Sequence, residues 1–310
     1  MILCCHLVVT FNNRMLQLSA QFFNVGVYLF LIISGYLYGK KDISKNRTYT
    51  KWLISRGKRI LVPLYVFMII LFFIYLSLGL NIQAFNWIIY IFNLQGLEIY
   101  VHGAEHLWYL TIAMVCYFIT PILDKTKYKL NKKRLFIFSI TYIVIQLIMS
   151  YHISEQFGRY LILIGLYILS YFIGFYWDSE QIDFKIFICT FIGMIVALLL
   201  RIIGMFMFDN TVLYNILIVG YTHSLLSLSM FFIGFYILKQ LKQNKLFSIV
   251  KLFDSISYEV YLVHYMFIVG PISVLFTNSQ ILNCFIVILF SFILAWILNK
   301  ICMFISASTH

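Results

Sequence analysis

The chain has 310 residues, 63% of them hydrophobic and 11% charged, with a formal net charge of +12. Apolar runs of membrane-spanning length recur from end to end, which excludes a soluble globular domain, and their continuity excludes the short alternating segments of an outer-membrane barrel. The positive charge does not mark a nucleic-acid binder, because it is gathered into the loops between apolar runs. The fold class implied is an all-α integral membrane protein, a polytopic bundle of about ten transmembrane helices in a single domain over residues 1–310, with no soluble domain.

In chain order the expected spans are 1–11, 22–38, 60–80, 107–123, 134–152, 159–177, 184–208, 212–238, 257–276 and 281–305. The first is short: Met1 to Phe11 as a helix reaches about 16 Å, against about 30 Å of hydrocarbon. We therefore expect a truncated first helix and a segment missing upstream of Met1. No basic stretch precedes this apolar run, so a cleaved leader is a poor explanation.

Lys and Arg number eight in 39–59, six in 124–134 and four in 239–256. These loops are expected in the cytoplasm, with both termini on the same side and the chain in the cytoplasmic membrane. Arg14 and Arg159 fall on the opposite side and Arg201 within a span. The acidic loop 178–185 weighs little, because acidic residues contribute little to orientation. Loop 81–106 then lies outside, where Trp87, Tyr90, Phe92 and Tyr100 suit the outer interface. The six cysteines (Cys4, Cys5, Cys116, Cys189, Cys284, Cys302) sit almost wholly in apolar runs without CxxC spacing, as small core hydrophobes. No internal repeat or Pro/Gly-rich linker is visible.

Ionisable groups inside a bilayer need a reason. Helix 22–38 carries Ser34-Gly35 towards its cytoplasmic end, and Arg56 and Arg59 stand at i and i+3 where the next span begins, beside Pro63. Together they read either as positive-inside anchoring or as a phosphate site, for which the guanidinium fork is suited. His6 reads either as a hydrogen-bonded bundle residue or as a general base.

His102-Gly103-Ala104-Glu105-His106 matches the H-x-x-E-H pattern of inverted zincins, but no third ligand is evident and no metal is expected. His106, Trp108 and Tyr109 open the next span at the outer interface. Arg201 either snorkels or contacts substrate. Tyr258, Tyr261 and His264 share a helix face as cavity candidates, whereas structural roles are expected for His152 and His223.

Taken in order, these landmarks resemble the acyltransferase family 3 membrane proteins of bacteria. They are a His in the first span, Val25-Gly26-Val27-Tyr28-Leu29-Phe30 leading to Ser34-Gly35-Tyr36, Arg56-x-x-Arg59-x-x-x-Pro63-Leu64-Tyr65, His106-Leu107-Trp108-Tyr109-Leu110, and Ser257-Tyr258-x-x-Tyr261-Leu262-x-His264. The resemblance implies transfer of an acyl group, most often acetyl, from acyl-coenzyme A to a hydroxyl of a cell-surface or lipid-linked glycan. It implies that His6 is catalytic and that Arg56 and Arg59 bind the donor. It also implies an arginine so far before the histidine that it would precede Met1.

On this reading acetyl-CoA is a co-substrate rather than a resident cofactor, and the partners are acyl-CoA, a glycan and the bilayer. His106, Trp108 and Tyr109 are candidates for the acceptor side or the oxyanion. Ser34, Arg201, Tyr258, Tyr261 and His264 are further cavity candidates. Direct transfer and a covalent acyl-histidine both fit the residues. The rival reading is a transporter or flippase of an acylated or lipid-linked sugar, with the same arginines on its pyrophosphate. The residues leave the oligomeric state open.

Overall fold

The structure is a computed structural model describing residues 1–41, 43, 48–97, 99–127, 132–152, 155–177, 184–208, 218–240 and 245–308. The described residues are helical, with no strand among them. The helices are α1 (Ile2–Val9), α2 (Arg14–Phe23), α3 (Gly26–Gly39), α4 (Tyr49–Ser77), α5 (Ala84–Ile91), α6 (Trp108–Thr126), α7 (Lys132–His152), α8 (Glu155–Tyr176), α9 (Phe184–Phe208), α10 (Val219–Gln240), α11 (Lys245–Ile268) and α12 (Gln280–Ser308). Single 3₁₀ turns lie at Gln95–Leu97 and Glu105–Leu107.

Five helices are long and apolar enough to cross a membrane: Tyr49–Ser77, Glu105–Thr126, Phe184–Gly204, Val219–Gln240 and Gln280–Ala307. Gly26–Gly39, Phe136–Ile148 and Leu163–Tyr176 are apolar but shorter, so the expected ten are not reached by this measure. Only 6% of the apolar window of α9 is buried. Its outward side chains, Phe191, Ile195, Leu199 and Ile203 among them, are exposed hydrophobics that water would not tolerate and lipid does. The protein is an integral membrane protein of helical type.

Several helix ends differ from expectation. α4 starts at Tyr49, inside the loop expected at 39–59, so Pro63 lies in the helix interior rather than near its start. α11 starts at Lys245, inside the loop expected at 239–256, and stops at Ile268, short of Gly270-Pro271. Residues 14–21, expected to be a connection, belong to α2, which runs on to Phe23 inside the span expected at 22–38. α2 in particular is amphipathic, so its apolar side carries the backbone bonds where no continuous apolar run exists. The acidic loop 178–183 and the side chains of Arg14, His152 and Arg159 lie outside the described residues.

The chain packs as two compact units, Met1–Asn24 with Thr50–Val115 and Gln243–His310, and Val25–Tyr49 with Cys116–Lys242. In the second unit α3 packs against α8. Gly35 and Gly39, one turn apart on α3, face the carbonyls of Tyr171 and Phe175, and Gly174 of α8 faces the carbonyl of Ile32. A Cβ at any of the three would sit well inside van der Waals contact with backbone. This is the small-xxx-small seam by which membrane helices approach closely without a hydrophobic driving force.

The first unit is built on α4, α11 and α12, whose buried Leu64, Phe67, Leu71, Val263, Met266 and Leu298 form one core. α11 packs along α12, and α1 is held between α2 and α11. The Cys5 thiol donates to the Ala20 carbonyl at 3.4 Å, tying α1 to α2.

Candidate active site

Gly103 has φ +93, a backbone state that L side chains rarely adopt, and its Cα side lies against Gly270 and Pro271. The absence of side chains at Gly103 and Gly270 lets the loop before α6 press onto the end of α11. Glu105 locks the turn: it accepts from the Gly103 N–H at 2.7 Å, and its other oxygen lies 2.9 Å from His102 Nδ1. The H-x-x-E-H sequence is thus a loop brace, with the Glu105 carboxylate committed to its own turn.

That brace delivers His106 to His264. Their ring centroids lie 4.8 Å apart, and His6 of α1 completes the group at 5.4 Å from His264 and 6.2 Å from His106. Tyr265 closes one side, 4.7 Å from His6 and 4.9 Å from His106. Three histidines far apart in sequence therefore share one site in the first unit. Among the described residues no group of His, Cys, Asp and Glu is arranged to hold a metal ion.

The hydrogen bonds assign the tautomers of two of these rings. His106 Nε2 lies 2.7 Å from the Tyr261 carbonyl, and His264 Nδ1 lies 2.8 Å from the same oxygen and 3.1 Å from that of Val260. A carbonyl only accepts, so each of those nitrogens carries the proton. The opposite nitrogens, His106 Nδ1 and His264 Nε2, are buried and take no hydrogen bond. Neutral His106 therefore has no N–H left for an oxyanion, and its unused nitrogen is an acceptor. Tyr261 returns the bond, its hydroxyl donating to the His106 carbonyl at 2.6 Å.

The arginines lie towards the other end of α4. Arg56 is half-buried and Arg59 exposed. Tyr258 of α11 donates to the Ile60 carbonyl at 2.9 Å, next to the Arg59 carbonyl that Pro63, having no N–H, leaves without its i−4 ladder bond. Tyr258→Phe is expected to lower stability by about 1 kcal/mol, read as a lower thermal midpoint in detergent. An unchanged midpoint would mean that another donor serves that carbonyl.

Along α4, Ile60 to Tyr75 is about 22 Å, and along α11, Tyr258 to His264 is about 9 Å. The Tyr75 hydroxyl donates to the His102 carbonyl at 2.9 Å. By these axial distances His264 sits along the bundle between the level of Ile60 and that of Tyr75, where the loop carrying His106 meets α4.

Of the other residues singled out by sequence, Tyr109 packs on Tyr261 at 6.0 Å and Trp108 is half-buried at the start of α6. Ser34 and Arg201 fall in the second unit. The Ser34 hydroxyl is 3.5 Å from that of Tyr117, while Arg201 donates to the Val219 carbonyl and Thr222 hydroxyl and reaches His223 at 3.5 Å. Arg201 thus has polar company within the bundle rather than a snorkelling geometry. Tyr265 was not anticipated, because as the neighbour of His264 it leaves the 258–261–264 face; the sequence carries no signal that it meets His6.

Ionisable side chains gathered inside a polytopic helical membrane protein mark a functional site, as in membrane enzymes and transporters. The family model described as "Acyltransferase domain" matches residues 1–300, covering both units. The chain belongs to acyltransferase family 3, and is a membrane acyltransferase. No curated protein and no solved structure matches it.

Proposed function

We propose that the protein transfers an acyl group, acetyl foremost, from acyl-coenzyme A to a hydroxyl of a cell-surface or lipid-linked glycan at the cytoplasmic membrane. The observation that carries this reading is the three-histidine cluster with two of its tautomers fixed by the Tyr261 and Val260 carbonyls. Hydroxyl acylation needs a base for the O–H proton and acceptors that orient the hydroxyl, and neutral imidazoles supply both.

In this scheme both termini are cytoplasmic, and Arg56 and Arg59 hold the donor phosphates there. The thioester extends between helices to the histidines. His6 takes the proton as the hydroxyl oxygen attacks the thioester carbonyl. The tetrahedral intermediate then collapses with cleavage of the C–S bond, and the thiolate leaves with the proton returned from the imidazolium. His106 Nδ1 and His264 Nε2 accept hydrogen bonds from the acceptor's hydroxyls. The oxyanion donor falls to Trp108 or Tyr109.

Radiolabelled acetyl-CoA supplied to membranes bearing the protein is expected to label glycan as a base-labile ester. The double variant Arg56→Lys, Arg59→Lys keeps the charge that orients the chain but removes the planar forks. It is expected to raise KM for acyl-CoA about tenfold with little change in kcat. An unchanged KM would remove the arginines from donor binding.

A further inference from the structure

A recess in the first unit includes His102, four residues before His106, and none of the three clustered histidines. It has a volume of about 250 Å³ and is lined by Tyr75, Asn81, Gln83, Asn86, Trp87, Tyr100, Val101 and His102. Its walls are braced: the Asn86 amide donates to the Tyr100 carbonyl at 2.8 Å and to Gln83 Oε1 at 3.1 Å. Trp87 stands edge to face with Tyr75 at 5.4 Å and with Phe72 at 5.3 Å. Tyr90 donates to the Ala104 carbonyl at 2.9 Å, and burial keeps its phenol above the ordinary value, hence a donor. These bonds leave the Asn81 amide, the Gln83 NH₂ and the Asn86 carbonyl oxygen for a ligand.

Among the described residues the lining holds no lysine, arginine or carboxylate. It therefore does not suit a phosphate-bearing donor. Its volume is below the range of about 300–1,000 Å³ typical of drug-sized ligands, which favours a single ring over a nucleotide. Aromatic rings beside primary amides match a neutral pyranose: the electron-rich ring faces take its C–H bonds and the amides take its hydroxyls. His102 on the rim is four residues from His106, so their Cα atoms are at most about 14 Å apart.

We propose that this recess is a saccharide subsite that holds a neutral sugar unit of the acceptor next to the unit being acylated. The proposal rests on the acyl-transfer reading for the identity of the acceptor, but binding is measurable without turnover. Saturation-transfer NMR on the protein in nanodiscs, with maltose, lactose and N,N′-diacetylchitobiose as probes at millimolar concentration, is expected to show transfer to the ring protons of at least one sugar. The variants Asn81→Ala and Gln83→Ala change exposed side chains outside the core, at the loss of one wall bond, while Asn86 keeps its bond to the Tyr100 carbonyl; combined, they are expected to cut that signal severalfold. Trp87→Ala is expected to abolish it, while His6→Ala and added coenzyme A leave it in place.

No transfer to any probe, or a signal that survives both the amide double variant and Trp87→Ala, overturns the subsite. Loss of the signal in His6→Ala also overturns it, by moving the sugar to the histidines. Sugar binding of the expected pattern in a protein that acylates nothing would leave the subsite standing and refute the acyl-transfer reading instead.

Discussion

Replacing His6 by alanine is expected to lower acyl transfer by roughly 10²–10⁴-fold, the range for loss of a positioned general base. The effect belongs in kcat, since Arg56 and Arg59, which we propose hold the donor, are on α4 and remain. His6 is the one histidine of the three whose ring nitrogens are not tied to a carbonyl in the described hydrogen bonds, which is why the proposed scheme gives it the proton transfer. His106 and His264 are pinned through Tyr261, and their substitution should act on acceptor KM as well as on kcat. A His6→Ala protein that acylates at the wild-type rate would remove the base from the scheme, and a rate lost through KM for acyl-CoA alone would reassign His6 to donor binding.

The second large effect lies in the other unit. Gly35→Leu or Gly39→Leu is expected to cost more than about 3 kcal/mol, the upper end for an overpacked core. Each new side chain would meet the backbone of α8 at Tyr171 or Phe175, which cannot rotate away as a side-chain tip can. Gly234→Ala is the control: a Cβ there meets nothing within 4 Å, and the helix-propensity gain of about 1 kcal/mol is all that should register. Monodisperse yield and thermal midpoint in detergent read both. Equal behaviour of Gly35→Leu and Gly234→Ala would mean that α3 and α8 separate at little cost.

Much of this was legible in the sequence, and the parts that were not have physical reasons. The membrane class followed from apolar runs, and the family from ordered landmarks between His6 and His264. Helix ends were not legible, because hydropathy marks where a helix becomes apolar rather than where its backbone bonds begin; hence the early starts of α4 and α11, and α2. Ser34-Gly35 was read as part of a site for an anion, whereas Gly35 with Gly39 is a packing seam; the spacing that reveals it stood in the sequence as Gly35-x-x-x-Gly39. The meeting of His6, His106 and His264 could not be read, because it depends on the Gly103 turn pressing onto Gly270. Nor could the role of His106: only the Tyr261 carbonyl shows that its free nitrogen accepts rather than donates.

The most direct test of hydroxyl acylation is mass spectrometry of glycan recovered from proteoliposomes that hold acetyl-CoA on the side of the arginines and a lipid-linked oligosaccharide acceptor in the bilayer. The account predicts a glycan heavier by one acetyl group per modified sugar, with equimolar release of free coenzyme A and neither product from His6→Ala vesicles. Glycan of unchanged mass that has crossed the bilayer would contradict it, and would make the protein a carrier of the sugar rather than the enzyme that acylates it.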